Sequence, residues 1–165
     1  MTEHKGTNMI KVTTSNVQAV QDEIRRALEE FATGKFVTVG IHEGAGNHED
    51  DDITNAQLGA ILHFGTSTIP ARPWLDVGVA TGDAEYLKII TNAIDKGENL
   101  ERALNQIGVV AVAKTQQYMT ELKTPPNAAS TIAKKGSANP LIDTGALRQS
   151  ITYSIDTVKP NEGVG

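Results

Sequence analysis

At 165 residues, with 39% hydrophobic residues and only seven aromatics (three Phe, one Trp, three Tyr), the chain suits one domain with a thin, aliphatic core. A net charge of -5 and a pI near 5.3 speak against a free-standing nucleic-acid binder, which shows a basic face to phosphate. The absence of cysteine excludes a disulfide framework, a thiolate metal site and a cysteine nucleophile. No apolar run approaches the roughly 18 residues of a membrane span, and the polar N-terminus lacks a signal core, so a soluble protein that stays where it is made is expected.

In chain order, Ile10 and Val12 alternate with polar neighbours and predict a short strand. Ser15 and Gln18 stand in capping-box spacing before Val17, Val20, Ile24, Leu28 and Phe31, an amphipathic helix ended by Gly34. Residues 35–43 put Val37, Val39 and Ile41 on one face of a half-buried strand. A glycine-rich and then acidic stretch over 44–52 has no core of its own and predicts a mobile loop. Thr54 and Gln57 form a second capping box, opening a helix over 55–64 with Leu58, Ile61 and Leu62 packing and a narrow side of Ala56, Gly59 and Ala60.

Ile69-Pro-Ala-Arg-Pro-Trp74 reads as a stiff loop, because Pro70 and Pro73 fix φ and push Ile69 and Arg72 toward extended backbone. Pro73 then opens a helix carrying Trp74, Leu75 and Val79. Asp83 is expected to cap a helix with a Leu87, Ile90, Ile94 stripe, closed by Gly97. Leu100, Leu104, Ile107, Ala111, Tyr118 and Leu122 mark a longer helix with Gly108 as a soft point, stopped by Pro125 and Pro126. Ser130 is a candidate cap for a short turn to Lys135. Beyond Pro140, Asp143 or Thr144 can cap a short helix. Ile151, Tyr153 and Ile155 then alternate with polar residues as a closing strand. The expected fold class is α+β: amphipathic helices on a small antiparallel sheet, in a single domain over 1–165.

Charge is unevenly spread. Residues 42–56 hold Glu43, Glu49, Asp50, Asp51 and Asp52 with no Lys or Arg, whereas 114–148 hold Lys114, Lys123, Lys134, Lys135 and Arg148 against two acids. Unlike surfaces on one chain suit self-association, although solvated loops give the same pattern. His42, Glu43, His48 and the acids to Asp52, with His63, are the nearest approach to a metal or hydrolytic cluster. Their spacing matches no zinc or calcium arrangement. No nucleophile elbow, phosphate loop or dinucleotide fingerprint occurs, so no catalytic residue and no cofactor are expected. His63, between Leu62 and Phe64, reads as a hydrogen-bonded structural histidine. Arg72 is either a pin within the subunit or, with Trp74, an interface anchor between subunits.

Leu58-Gly-Ala-Ile-Leu-His-Phe-Gly-Thr66 with Ile69-Pro-Ala-Arg-Pro-Trp-Leu75, and later Pro140-Leu-Ile-Asp-Thr-Gly-Ala-Leu-Arg-Gln-Ser-Ile151, resemble the small neck and tail-completion proteins of tailed bacteriophages. Pro125-Pro126 with Ser130-Thr-Ile-Ala-Lys134 is similar to that family's linker, although Asn127-Ala-Ala departs from its pattern. The resemblance implies an α+β virion protein of the neck, made in the host cytoplasm. Such a protein is non-enzymatic and forms a homo-oligomeric ring between portal-side connector proteins and the tail tube or tail terminator, with DNA as passing cargo and no membrane contact. It makes Ile69, Pro70, Arg72, Pro73, Trp74, Asp143, Thr144 and Arg148 interface or structural residues and brings the two motif stretches together, with Asp143 a partner for Arg72. The acids Glu49, Asp50, Asp51 and Asp52 lie outside the family pattern and are expected to face the lumen. The rival readings are a small metal-dependent hydrolase using 42–52 and a monomeric adaptor.

Overall fold

The computed structural model describes residues 22, 26, 29, 34–42, 53–142 and 145–157. The chain falls into two compact units, Met1–Gly34 and Lys35–Gly165. In the first, Asp22, Arg26 and Glu29 are helical, and they belong to the polar faces of the predicted amphipathic helix. Its apolar stripe, the Ser15–Gln18 box and the strand around Ile10 lie outside the described residues, as does the acidic run 49–52.

The second unit is α+β. Its described residues form strand β1 (Phe36–Ile41), helices α1 (Asn55–Phe64), α2 (Trp74–Ala80), α3 (Asp83–Asp95), α4 (Leu100–Glu121), α5 (Ala129–Lys135) and α6 (Ala146–Gln149), and strand β2 (Ile151–Asp156). β1 and β2 pair antiparallel with Val37 opposite Ile155, Val39 opposite Tyr153 and Ile41 opposite Ile151. The two predicted apolar stripes therefore share one face of the ribbon. A two-stranded ribbon is marginal by itself. This one lies against α4, whose 22 residues also receive α2 and α3.

Trp74, Met119, Leu141, Leu147 and Ile151 make the core, with Val39, Ile41, Leu58, Leu62 and Leu75 packed around it. Each such buried large apolar side chain contributes about 1.5–3 kcal/mol. Few are available, and close backbone approach supplements them. A Cβ on Gly59 would come within 2.9 Å of Ile41 and 3.2 Å of the Trp74 ring, and one on Gly78 within 2.9 Å of the Thr115 backbone. The narrow side of α1 thus serves packing inside the subunit at Gly59, while Ala60 stays exposed.

Several local expectations are corrected. Gly108 is a contact and not a soft point: the Tyr153 ring occupies the place of its missing side chain, 2.1 Å from an ideal Cβ. Helix α3 packs through Tyr86, Ile89, Ile90 and Ala93 and leaves Leu87 and Ile94 exposed. Its N-cap is Gly82, with Asp83 the first helical residue, because the Tyr86 ring closes over Gly82 and donates its hydroxyl to Val79 O (2.8 Å). Ser130 is inside α5, which starts after Ala128. At α6 the N-cap is Gly145, at φ 89°, with no side-chain cap bond; Asp143 and Thr144 lie outside the described residues.

The capping box at Thr54–Gln57 forms as predicted, with Gln57 N donating to Thr54 Oγ1 (3.2 Å) and Thr54 N donating to Gln57 Oε1 (2.9 Å). Asp156 Oδ2 accepts from the Ser154 hydroxyl on its own strand (2.6 Å) and, across the ribbon, from the Thr38 hydroxyl. The Ser154 bond first, and then the Thr38 bond, hold the Asp156 carboxyl below the usual carboxylate range. The folded-state pKa being depressed, this contribution is present above the unfolded value of about 3.9 and is lost as pH falls through the folded value. Asp156→Asn is therefore expected to be less stable than the parent at neutral pH, with the gap closing below about pH 4. Urea unfolding across that range checks it, and a gap independent of pH would assign the effect to something other than the carboxylate charge.

Candidate functional site

The site is built where the chain turns back on α1. Gly65 sits at φ 76°, and a Cβ there would meet Ala71 N at 2.6 Å and Ile69 O at 2.7 Å, so only glycine allows the tight return. Thr66 holds the loop from inside: its Oγ1 accepts from Thr68 N (3.2 Å) and Ile69 N (3.0 Å), and its N–H donates to Ile69 O (2.8 Å). Arg72 N then donates to Leu62 O (3.0 Å) and His63 O (3.2 Å), satisfying carbonyls at the C-terminus of α1. Trp74 Nε1 donates to Gly59 O (3.0 Å) from a ring that is 3% exposed. The stiffness expected of the Pro70–Pro73 loop thus has a hydrogen-bonded cause beside the prolines.

The Arg72 side chain is among the most buried in the unit, at 2% exposure. Its Nε donates to Pro125 O (2.9 Å), and its Nη2 to Pro126 O (3.1 Å) and Asn127 Oδ1 (3.2 Å). Burial pushes its pKa down from the ordinary guanidinium value, but an arginine stays charged at neutral pH. Its described partners are carbonyls and an amide; among the described residues no carboxylate pairs with it. Asp143, the predicted partner, lies outside the described residues.

Asn127 passes the connection on. Its Nδ2 donates to Asn139 O (3.5 Å), and Asn139 is a hub: Nδ2 donates to Met119 O (3.3 Å) and Thr120 O (2.9 Å), while Oδ1 accepts from Leu141 N (2.9 Å) and Ile142 N (3.1 Å). One side chain thereby satisfies carbonyls in the last turn of α4 and starts the turn into the C-terminal motif. Arg148 secures the far end: Nη1 donates to Thr120 Oγ1 (3.1 Å), and its carbonyl accepts from Gln116 Nε2 (3.1 Å).

The 58–75 stretch, the linker and the 140–151 stretch meet around one cavity of about 330 Å³, whose walls include Leu62, Ile69, Arg72, Asn127, Leu141 and Leu147. Their proximity, expected from the resemblance, is present. Asn139 was not among the predicted site residues; the signal for it was its place before Pro140, where Asn-Pro starts turns.

Of the remaining sequence candidates, His63 packs edge-on to Phe64 (4.6 Å) and Trp74 (6.1 Å), with Nε2 3.4 Å from Asp76 Oδ2. Glu49, Asp50, Asp51 and Asp52 lie outside the described residues, as does all of the 42–52 cluster except His42. Among the described residues no group of three or more His, Asp or Glu side chains is placed to hold one metal ion, and no helix is long and apolar enough to cross a membrane.

Arg72→Lys keeps the charge but cannot span two successive carbonyls with a planar fork. It is expected to cost about 2–4 kcal/mol in unfolding free energy, because carbonyls of a Pro-Pro segment are left without their donors. Equilibrium urea denaturation measures this, and a loss below about 0.5 kcal/mol would mean that water replaces the fork. Compared with protein-family models, curated proteins and solved structures, the chain matches none.

Proposed function

We propose that this chain is a non-enzymatic structural protein of a tailed-phage virion: a subunit of a homo-oligomeric ring in the neck, joining the portal-side connector to the tail tube or its terminator around the DNA channel. The observation that carries this reading is the convergence of the three stretches resembling neck and tail-completion proteins on the buried Arg72 and its cavity, although they are far apart in sequence. The chemistry of that cavity is supportive of a mechanical role. Its buried guanidinium is committed to two backbone carbonyls and the Asn127 amide, its Lys135 ammonium donates to Asn139 O, and its other walls are mostly aliphatic, so it holds segments of chain in register.

In this reading the subunit works by geometry. A ring subunit under pressurised DNA must transmit load between neighbours without deforming, and cross-linked loops at a packed core resist shear better than solvated ones.

Particles assembled without this protein are expected to show filled heads and finished tails that fail to join, scored by electron microscopy. Normal virions would refute the proposal. The acidic run 49–52 is proposed to line the channel, where carboxylates repel phosphate and keep DNA from adhering. Replacing Asp50, Asp51 and Asp52 together by Asn is expected to leave assembly intact and to change DNA retention or ejection. Unchanged ejection would remove the lumen assignment.

A further inference from the structure

Phe64, the last residue of α1, leaves 63% of its surface in solvent although it is a large aromatic. It stands at the rim of an apolar hollow of about 440 Å³ whose walls include Ile41, Ala60, Trp74 and Leu75. Beside it, across His63, is Asp76, whose side chain is 77% exposed. One face therefore offers an aromatic knob with a carboxylate next to it.

A second apolar feature, a shallow and open groove between α3 and α4, is lined by Ile89, Arg102, Asn105, Gln106, Val109 and Val110. Val109 is 58% exposed, and among the described residues the Arg102 guanidinium has no ion-pair partner. The two surfaces share no residue and no helix. Each carries one exposed charged side chain, of opposite sign, beside an apolar feature: the Phe64 knob with the Asp76 carboxylate on one, the α3–α4 groove with the Arg102 guanidinium on the other. Surfaces of that kind on one chain make a heterologous contact, in which each copy uses one face toward the copy ahead and the other toward the copy behind. A buried Phe contributes roughly 150–250 Å² of contact area, and aromatic and arginine side chains supply most interface hot spots.

We propose that Phe64 and Asp76 of one copy dock into the α3–α4 groove of the next, with Asp76 paired to Arg102 and Phe64 against Val109, and that this is the contact that repeats around the ring. The proposal rests on the ring reading above and names the surfaces that would build it. Oxygen geometry allows the pair, because Asp76 approaches His63 through Oδ2 and leaves Oδ1 to accept one N–H of the guanidinium.

The test is a charge exchange in the full-length protein. Asp76→Arg alone and Arg102→Asp alone are each expected to raise the concentration at which multimers form by about tenfold or more, and the double variant to return it toward that of the parent, all read by sedimentation velocity. Both positions are exposed, and unchanged circular dichroism and thermal unfolding verify that each variant folds. Since the chain has no cysteine, an Asp76→Cys, Arg102→Cys variant oxidised in assembled particles gives a second readout. A heterologous contact produces a ladder of disulfide-linked multimers, while either single variant gives no ladder. Absence of the ladder in particles whose neck still yields multimers with a lysine-reactive cross-linker would overturn this interface and leave the ring reading standing. Absence of multimers by both routes, together with normal virions made without the protein, would overturn both. A doubly substituted chain that closes a disulfide within itself would also overturn the interface.

Discussion

The second unit depends on a buried cation that donates to backbone. A Pro-Pro segment has no amide hydrogens to offer, so its only means of being held by hydrogen bonds is through its carbonyls. Arg72 supplies donors to both Pro125 O and Pro126 O, and its fork is planar and rigid enough to do so without ordering a flexible side chain at each bond. A lysine or a water would offer point contacts where the fork offers a fixed angle. The desolvation of the guanidinium is offset by three acceptors, and the position of α4's exit relative to α1 follows from that pairing.

From Arg72 the constraint spreads through side-chain amides. Asn127 and Asn139 are small and each can donate and accept at once, which lets them connect the guanidinium to the last turn of α4 and to the turn at Leu141. A chain with seven aromatics and an aliphatic core gains directional specificity from such a network, since apolar contacts alone define orientation loosely.

Elements governed by local chemistry were legible in the sequence. The Thr54–Gln57 box, the period-2 stripes of the two strands and the stop at Pro125 depend on neighbours in the chain, and each occurs as read. What failed depended on partners far away. In the sequence Leu87, Ile90 and Ile94 form the most apolar stripe of α3, since leucine and isoleucine outrank tyrosine and alanine in hydrophobicity. The helix instead turns Tyr86 and Ala93 inward, where a hydroxyl can reach Val79 O and a small residue can meet α4 closely. Gly108 carries no sign in sequence that Tyr153 will cover it. In the candidate site, Arg72 was legible from its two flanking prolines, but its acceptors were not, because a backbone carbonyl is present at every residue and marks none. Asn139 is inconspicuous for a related reason: a lone asparagine in a polar loop reads as solvent-facing until the helix end it caps is in place.

The pairing of β1 with β2 also bears on synthesis. Thr38 and Asp156, joined through the same hydroxyl–carboxylate cluster, stand 118 positions apart, with the helices of the unit between them. Closing so long a span gains nothing until both ends exist. On the ribosome, the sheet cannot zip until nearly the whole unit has emerged, and the Tyr153 ring cannot cover Gly108 before then. A prematurely terminated chain lacks β2 altogether and leaves β1 with a bare edge, so completeness of the polypeptide is itself a condition for presenting a finished subunit surface.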